Sequence, residues 1–174
     1  MKHIIFAVFF LVYSCNKDKN VKEFLKTADI PISSAFKINT VHTDSGLVSS
    51  ILNSPKMFNF SNANYPYFEF PDFLEVILFD KNKNQTKITA DYAISYSNSD
   101  LIDLRGNVII STHLLDTLFT EQLYYDRSEQ WLFTNFDFKY VSTDKDIYGI
   151  GFDSDKTFEK IKFLEVKGYV SLQD

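Results

Sequence analysis

Alternation with a period of two runs through this chain from about Phe36 to its end. A strand sends successive side chains to opposite faces, so a pleated, half-buried sheet is what such a pattern fits. Between Ile88 and Tyr96 every second residue is apolar or aromatic: Ile88, Ala90, Tyr92, Ile94 and Tyr96. Leu132, Phe136, Phe138 and Tyr140 repeat the motif. No apolar stripe of period 3.6 competes with it. The side chains agree, since Phe and Tyr number 18 and 10 and favour strands over helices. With 5 Gly and 4 Pro, collagen-like and low-complexity readings drop out. Polar gaps at 98–100, 126–129 and 154–156 carry turn chemistry. An all-β, antiparallel chain follows.

The pattern also recurs at longer range. Thr89 to Val108, Thr120 to Phe138 and Gly149 to Val170 each read as a strand, a polar turn and a return strand, with starts offset by 31 and 29 residues. A weaker fourth copy starts at Gly46. A hairpin of that size cannot bury its own apolar face and must stack on a neighbour. Propeller blades, at about 40–45 residues, are longer. The expected architecture is an elongated antiparallel two-sheet β-jelly roll built from stacked hairpins. The terminal strands of such a stack are edges, able to pair with other strands. Gly149 and Gly151, inside a strand-like segment, mark a bulge or a close approach of backbone.

The first residues read as an address. After Met1-Lys2-His3, the apolar run Ile4–Val12 is nine residues long, against the roughly 20 needed to span a bilayer, and fits a secretory signal. Val12-Tyr13-Ser14-Cys15 resembles the lipobox of bacterial lipoproteins, with Tyr13 bulkier than usual, and Cys15 is the one cysteine of the chain. The expected organisation is a signal peptide over 1–14, a lipidated Cys15 with a polar tether over 15–35, and one jelly-roll domain over 36–174. A short helix over Val21–Ala28, broken by Pro31, is predicted within the tether. Several acyl chains on Cys15 give stable anchoring where one chain is marginal.

Charge and residue types exclude several functions. A net charge of −5 is the wrong sign for a nucleic-acid binder, which displaces counterions with clustered Lys and Arg. A lone Cys forms no internal disulfide, and no Cys/His spacing suits zinc. His3 lies in the leader, which leaves His42 and His113 far apart in sequence, a poor start for acid–base catalysis. Gly-x-Ser-x-Gly and phosphate-binding glycine loops do not occur. The acidic runs Asp144–Asp146 and Asp153–Asp155 lack calcium-loop spacing and read as solvated turns. No catalytic residue, metal or cofactor is expected.

From Glu69 onward the chain resembles the LptC family of lipopolysaccharide export components, in the lipoprotein form of Bacteroidetes-like bacteria. The markers, in order, are Phe70-Pro71 before Leu74–Asp80, then Ala90-Asp91-Tyr92-Ala93, then Leu104-Arg105-Gly106-Asn107-Val108. Asp116–Tyr125 with Leu118-x-Thr120-Glu121-x-Leu123, Tyr148–Phe152 and Gly168–Val170 complete the series. Enterobacterial members carry an uncleaved transmembrane helix where this chain has the lipobox-like leader. The resemblance implies an LptA/LptC-like β-jelly roll open along one side, a non-enzymatic, periplasmic carrier of lipopolysaccharide anchored most simply at the inner membrane. It accepts the lipid from an inner-membrane ABC transporter and hands it to an LptA-like bridge of like-folded domains, in outer-membrane biogenesis.

That task needs a long apolar trough, because each methylene removed from water gains about 0.8 kcal/mol. The expected acyl-chain groove comprises Ile88, Ala90, Tyr92, Ile94, Ile102, Leu104, Val108, Ile110, Leu118, Leu123, Tyr125, Leu132, Phe136 and Phe138. Phe152, Phe163, Val166 and Val170 continue it. The alternative is a surface or periplasmic lipoprotein β-sandwich that binds glycans or another protein. It would have a packed interior and aromatic platforms outside.

Overall fold

A computed structural model describes residues 30–168. It contains eleven strands: β1 (Ser33–Asp44), β2 (Leu47–Phe60), β3 (Tyr67–Phe70), β4 (Leu74–Phe79), β5 (Gln85–Ala90), β6 (Tyr92–Tyr96), β7 (Leu101–Thr112), β8 (Thr117–Asp126), β9 (Trp131–Val141), β10 (Asp146–Asp155) and β11 (Ile161–Val166). All pairings are antiparallel within one sheet, and among the described residues there is no helix. Cys15, the helix predicted over Val21–Ala28, and Val170 lie outside the described residues. Strand β1 begins at Ser33 and takes in the last residues assigned to the tether.

The chain is a meander of long hairpins in which each long strand is interrupted near its middle. Strands β3 and β4 form one line, broken at 71–73, and β5 and β6 form another, broken at Asp91. Strand β2 pairs with β4 through its first half and with β3 through its second. Strand β7 likewise divides between β6 and β5. Register shifts interrupt the β7–β8, β8–β9 and β9–β10 ladders at corresponding places. A bulge leaves one residue unpaired and bends its strand, so aligned bulges make a seam along which the sheet folds back on itself. The two halves thus face each other, with the hairpin turns forming two rims. Turns 45–46, 80–84, 113–116 and 142–145 make the first rim, and turns 61–66, 97–100, 127–130 and 156–160 make the second.

Short hydroxyl side chains complete the hydrogen bonds that the bulges break. Buried Ser54 donates to the Phe73 carbonyl at 2.7 Å, and Thr120 donates to the Asp137 carbonyl at 2.9 Å. The Phe136 amide donates to the Thr134 hydroxyl at 3.0 Å. Buried backbone groups without partners would each cost about 1–3 kcal/mol. The seam therefore explains why Ser54, Thr120 and Thr134 are buried while ordinary strand positions around them are apolar.

The bulges also correct the expected faces. Ile88 and Ala90 point inward, but the break at Asp91 inverts the phase, so Ala93 and Ser95 are buried and Tyr92, Ile94 and Tyr96 lie on the outer face. On β9, Leu132 and Thr134 point inward. After the bulge Phe138 and Tyr140 do so, which leaves Phe136 outside and 47% exposed. The three hairpin repeats correspond to β5/β6–β7, β8–β9 and β10–β11. Gly46, the start of the proposed fourth copy, instead lies in the β1–β2 turn. Residues 154 and 155, expected in a turn, end β10, and Ser154 is fully buried.

The interior is one apolar cluster fed by both halves: Leu74, Ile88, Val108, Ile110, Leu118 from one side and Leu104, Leu123, Leu132, Phe152 from the other. Burying a Leu, Ile or Phe contributes about 1.5–3 kcal/mol each. The outer face is organised differently. Asp103 is 2% exposed there because Arg105 and Gln122 cover its carboxylate, with Arg105 Nε at 2.9 Å and Gln122 Nε2 at 2.7 Å.

Candidate functional site

The two ends of the interior differ. Toward the C-terminus it is filled by rings: Phe138 and Tyr140 of β9, Phe152 of β10, Phe158 of the last turn and Phe163 of β11. Ring centroids lie 5.4 Å apart for Phe138–Phe163 and for Phe152–Phe158, and 5.5 Å for Tyr140–Phe163. Such offset and tilted pairs add about 0.5–1.5 kcal/mol each beyond the area they bury. This aromatic plug ties the first-rim half of β9 to the second-rim parts of β10 and β11.

Toward the N-terminus the halves stand apart and leave a cavity of about 400 Å³. That volume lies in the ~300–1,000 Å³ range of small-molecule pockets. Leu52 of β2 and Val76 and Leu78 of β4 line one side, and Ile102 of β7 and Tyr125 of β8 line the other. Alternation places them there: Leu74, Val76 and Leu78 are the inward residues of β4, and Ile102 and Tyr125 are register partners on the facing half. Burial pushes the Tyr125 phenol up to about 12, while nearby Arg127 opposes the shift. These five side chains thus form an uncharged, largely apolar wall at neutral pH, to which Ser95 of β6 adds a hydroxyl.

Polar groups gather at the mouth. Thr40, His42 and Asp44 of β1 and Ser49 and Ser50 of β2 border it on the first-rim side; Arg127, Gln130 and Lys156 border it from second-rim turns. Those turns are stitched together: Arg127 pairs with Asp100 at 3.0 Å, and the Lys156 amide donates to the Gln130 carbonyl at 3.2 Å. The Lys156 ammonium crosses the opening and donates to the Phe79 carbonyl at 3.1 Å.

Of the residues expected to line a groove, Ile102 and Tyr125 reach this cavity. Ile88, Ala90, Leu104, Val108, Ile110, Leu118, Leu123 and Leu132 are buried in the interior behind it, and Phe138 and Phe152 belong to the plug. Phe163 packs half-buried against that plug. Tyr92, Ile94 and Phe136 face outward, and Val166, at the end of edge strand β11, is half exposed. The sequence reading missed Leu52, Val76 and Leu78. Leu74–Phe79 is almost continuously apolar, so its inward phase is hard to tell by period alone, and Leu52 lies beside the irregular Asn53–Pro55 stretch.

Within the described residues, β1 pairs with β2 alone and β11 with β10 alone. Both edges carry exposed apolar side chains, among them Phe36 and Val41 on β1 and Leu164 and Val166 on β11. No helix among the described residues is long and apolar enough to cross a membrane. A family model described as "Lipopolysaccharide-assembly, LptC-related" matches residues 3–171, nearly the whole chain. Among curated proteins none matches it.

Proposed function

The chain belongs to the LptC-related family of lipopolysaccharide assembly, and from that premise we propose that it carries lipopolysaccharide by shielding acyl chains between the two halves of its sheet. Family membership implies a part in lipopolysaccharide transport at the cell envelope. The observation that carries the finer reading is the cavity lined by Leu52, Val76, Leu78, Ile102 and Tyr125. An apolar space with a wet mouth suits an amphiphile, whose tail gains from burial while its head stays hydrated. The glycan- or protein-binding alternative expects an interior packed throughout, from which the cavity departs.

In this reading Cys15 carries the lipid anchor and holds the domain on the periplasmic face of the inner membrane. Lipopolysaccharide arrives from the inner-membrane ABC transporter and leaves toward an LptA-like bridge protein. The edges of β1 and β11, unpaired among the described residues, support such a bridge, since backbone donors and acceptors at a sheet edge accept a strand from a like-folded partner. The buried interior residues from Ile88 to Leu132 form the backing of the groove.

Photo-crosslinking in living cells tests the proposal. A photoreactive residue at Leu52, Leu78 or Ile102 should capture lipopolysaccharide, and one at outward Tyr92 or Phe136 should not. Equal labelling at inner and outer positions would overturn it. Membrane fractionation with a Cys15→Ala control reads out the anchor separately.

A further inference from the structure

We propose that Lys156 is the head-group contact of this cavity: its ammonium binds the phosphate of an anionic amphiphile whose chain lies against Leu52, Val76 and Leu78. This inference rests on the reading of the cavity as an acyl-chain site and adds to it a charge preference and a named donor.

Three observations carry it. Lys156 sits at the mouth, between the second-rim turn that holds it and the end of β4, and it borders the same cavity as the apolar wall. Its ammonium makes one hydrogen bond, to the neutral Phe79 carbonyl, across 77 positions of sequence. Among the described residues no carboxylate lies within ion-pairing distance of it, whereas Arg127 beside it is paired with Asp100. An ammonium has three donors, so two remain for an incoming oxygen. A phosphate oxygen forms a charge-assisted bond roughly twice as strong as a neutral one. A half-buried lysine with an uncharged partner therefore gains more from an anionic head than an exposed, hydrated one would.

Neighbouring charges set the geometry. Asp44 and His42 border the cavity from β1, and Asp44 already accepts a hydrogen bond from Ser45 at 3.1 Å. The Lys156 ammonium, held at the Phe79 carbonyl, lies toward the same first rim that Asp44 borders, so an anionic head bound to it sits near the end of β4. Because the Lys156–Phe79 link joins the two rims, occupancy by a head group and the spacing of the rims are coupled through one side chain.

Calorimetric titration of the purified full chain below micelle concentrations tests this, with dodecyl phosphate, dodecyl maltoside and inorganic phosphate as probes. The wild-type chain should prefer dodecyl phosphate to dodecyl maltoside by about tenfold or more, the range of a bond to a charged group. Lys156→Gln should abolish that preference, with its circular dichroism and melting point showing that the variant folds, and Lys156→Arg should keep it. Retained preference in Lys156→Gln overturns the proposal, as does inorganic phosphate binding as tightly as dodecyl phosphate, which would mark a free-phosphate site. The cavity reading is tested apart by Leu78→Trp, which fills the space and should weaken both amphiphiles. If Leu78→Trp changes neither, the cavity reading fails and the head-group inference with it.

Discussion

Asp91 and Gly106 meet across the seam: the Asp91 amide donates to the Gly106 carbonyl at 3.0 Å, and the Asp91 carboxylate accepts from the Asn107 side chain at 2.6 Å. The break between β5 and β6 is thereby matched to the bulge of β7, and the bend passes from one strand to the next. Gly106 has φ +73°, and a methyl group there would stand 3.2 Å from the Asp91 carboxylate. Gly106→Ala is expected to destabilise the fold by about 1–3 kcal/mol, combining left-handed strain with crowding. Urea denaturation measures it, and an unchanged midpoint would show that the bend does not depend on this pair.

Gly149 tests the C-terminal edge. A methyl group at this position would fall 2.0 Å from the Glu165 carbonyl of β11, a contact that backbone cannot relieve without moving the strand. Gly149→Ala should strip hydrogen-exchange protection from β11 while β5–β8 stay protected. If β11 keeps its slow amides, the strand has accommodated the methyl and the close approach is not tight.

The aromatic plug is expected to contribute much of the rigidity of the C-terminal end. Phe152 is fully buried and touches four other rings. Phe152→Ala should cost about 3–5 kcal/mol, the range for large-to-small aromatic changes in a core. Phe163→Leu, half-buried and nearer in volume, should cost under about 1.5 kcal/mol. Equal effects of the two in thermal or urea melts would argue against a graded plug.

Alkaline stability follows from two phenols. Burial holds Tyr125 up at about 12; burial and then nearby Asp116 do the same for Tyr140. A folded-state value above the ordinary 10 means that the stabilising contribution is complete below pH 10 and is lost as pH rises through about 12. For Tyr125 two pH units correspond to about 2–3 kcal/mol. Melting points should fall between pH 10 and 12, and Tyr125→Phe should flatten that fall. A variant that loses stability over this range as steeply as the wild type would place the sensitivity elsewhere.

Strand content was plain in the alternation, and the hairpin repeats were real, because both depend on residue types along one line of chain. What alternation does not carry is its own phase across a bulge. One extra residue reverses every side chain beyond it. Asp91 does this to Tyr92 and Ile94, whereas on β9 the irregular stretch 135–137 turns out Phe136 alone and Phe138 and Tyr140 resume the phase of Leu132 and Thr134; all three outward residues read as inward until the bend is known. Ser54, Thr120 and Thr134 gave no signal either, since a hydroxyl in a strand looks the same whether it meets water or an orphaned carbonyl. Whether the interior is filled or vacant depends on the separation of two facing halves, which no local pattern encodes; the phenyl rings near the C-terminus close it and the smaller Leu52, Val76 and Leu78 do not.

The stacked rings of β9–β11 make the interior a cul-de-sac rather than a tunnel. In the carrier proposed above, a guest entering beside β1 would meet those rings at the far end, and its way onward would run sideways, over the lip between the two rows of turns.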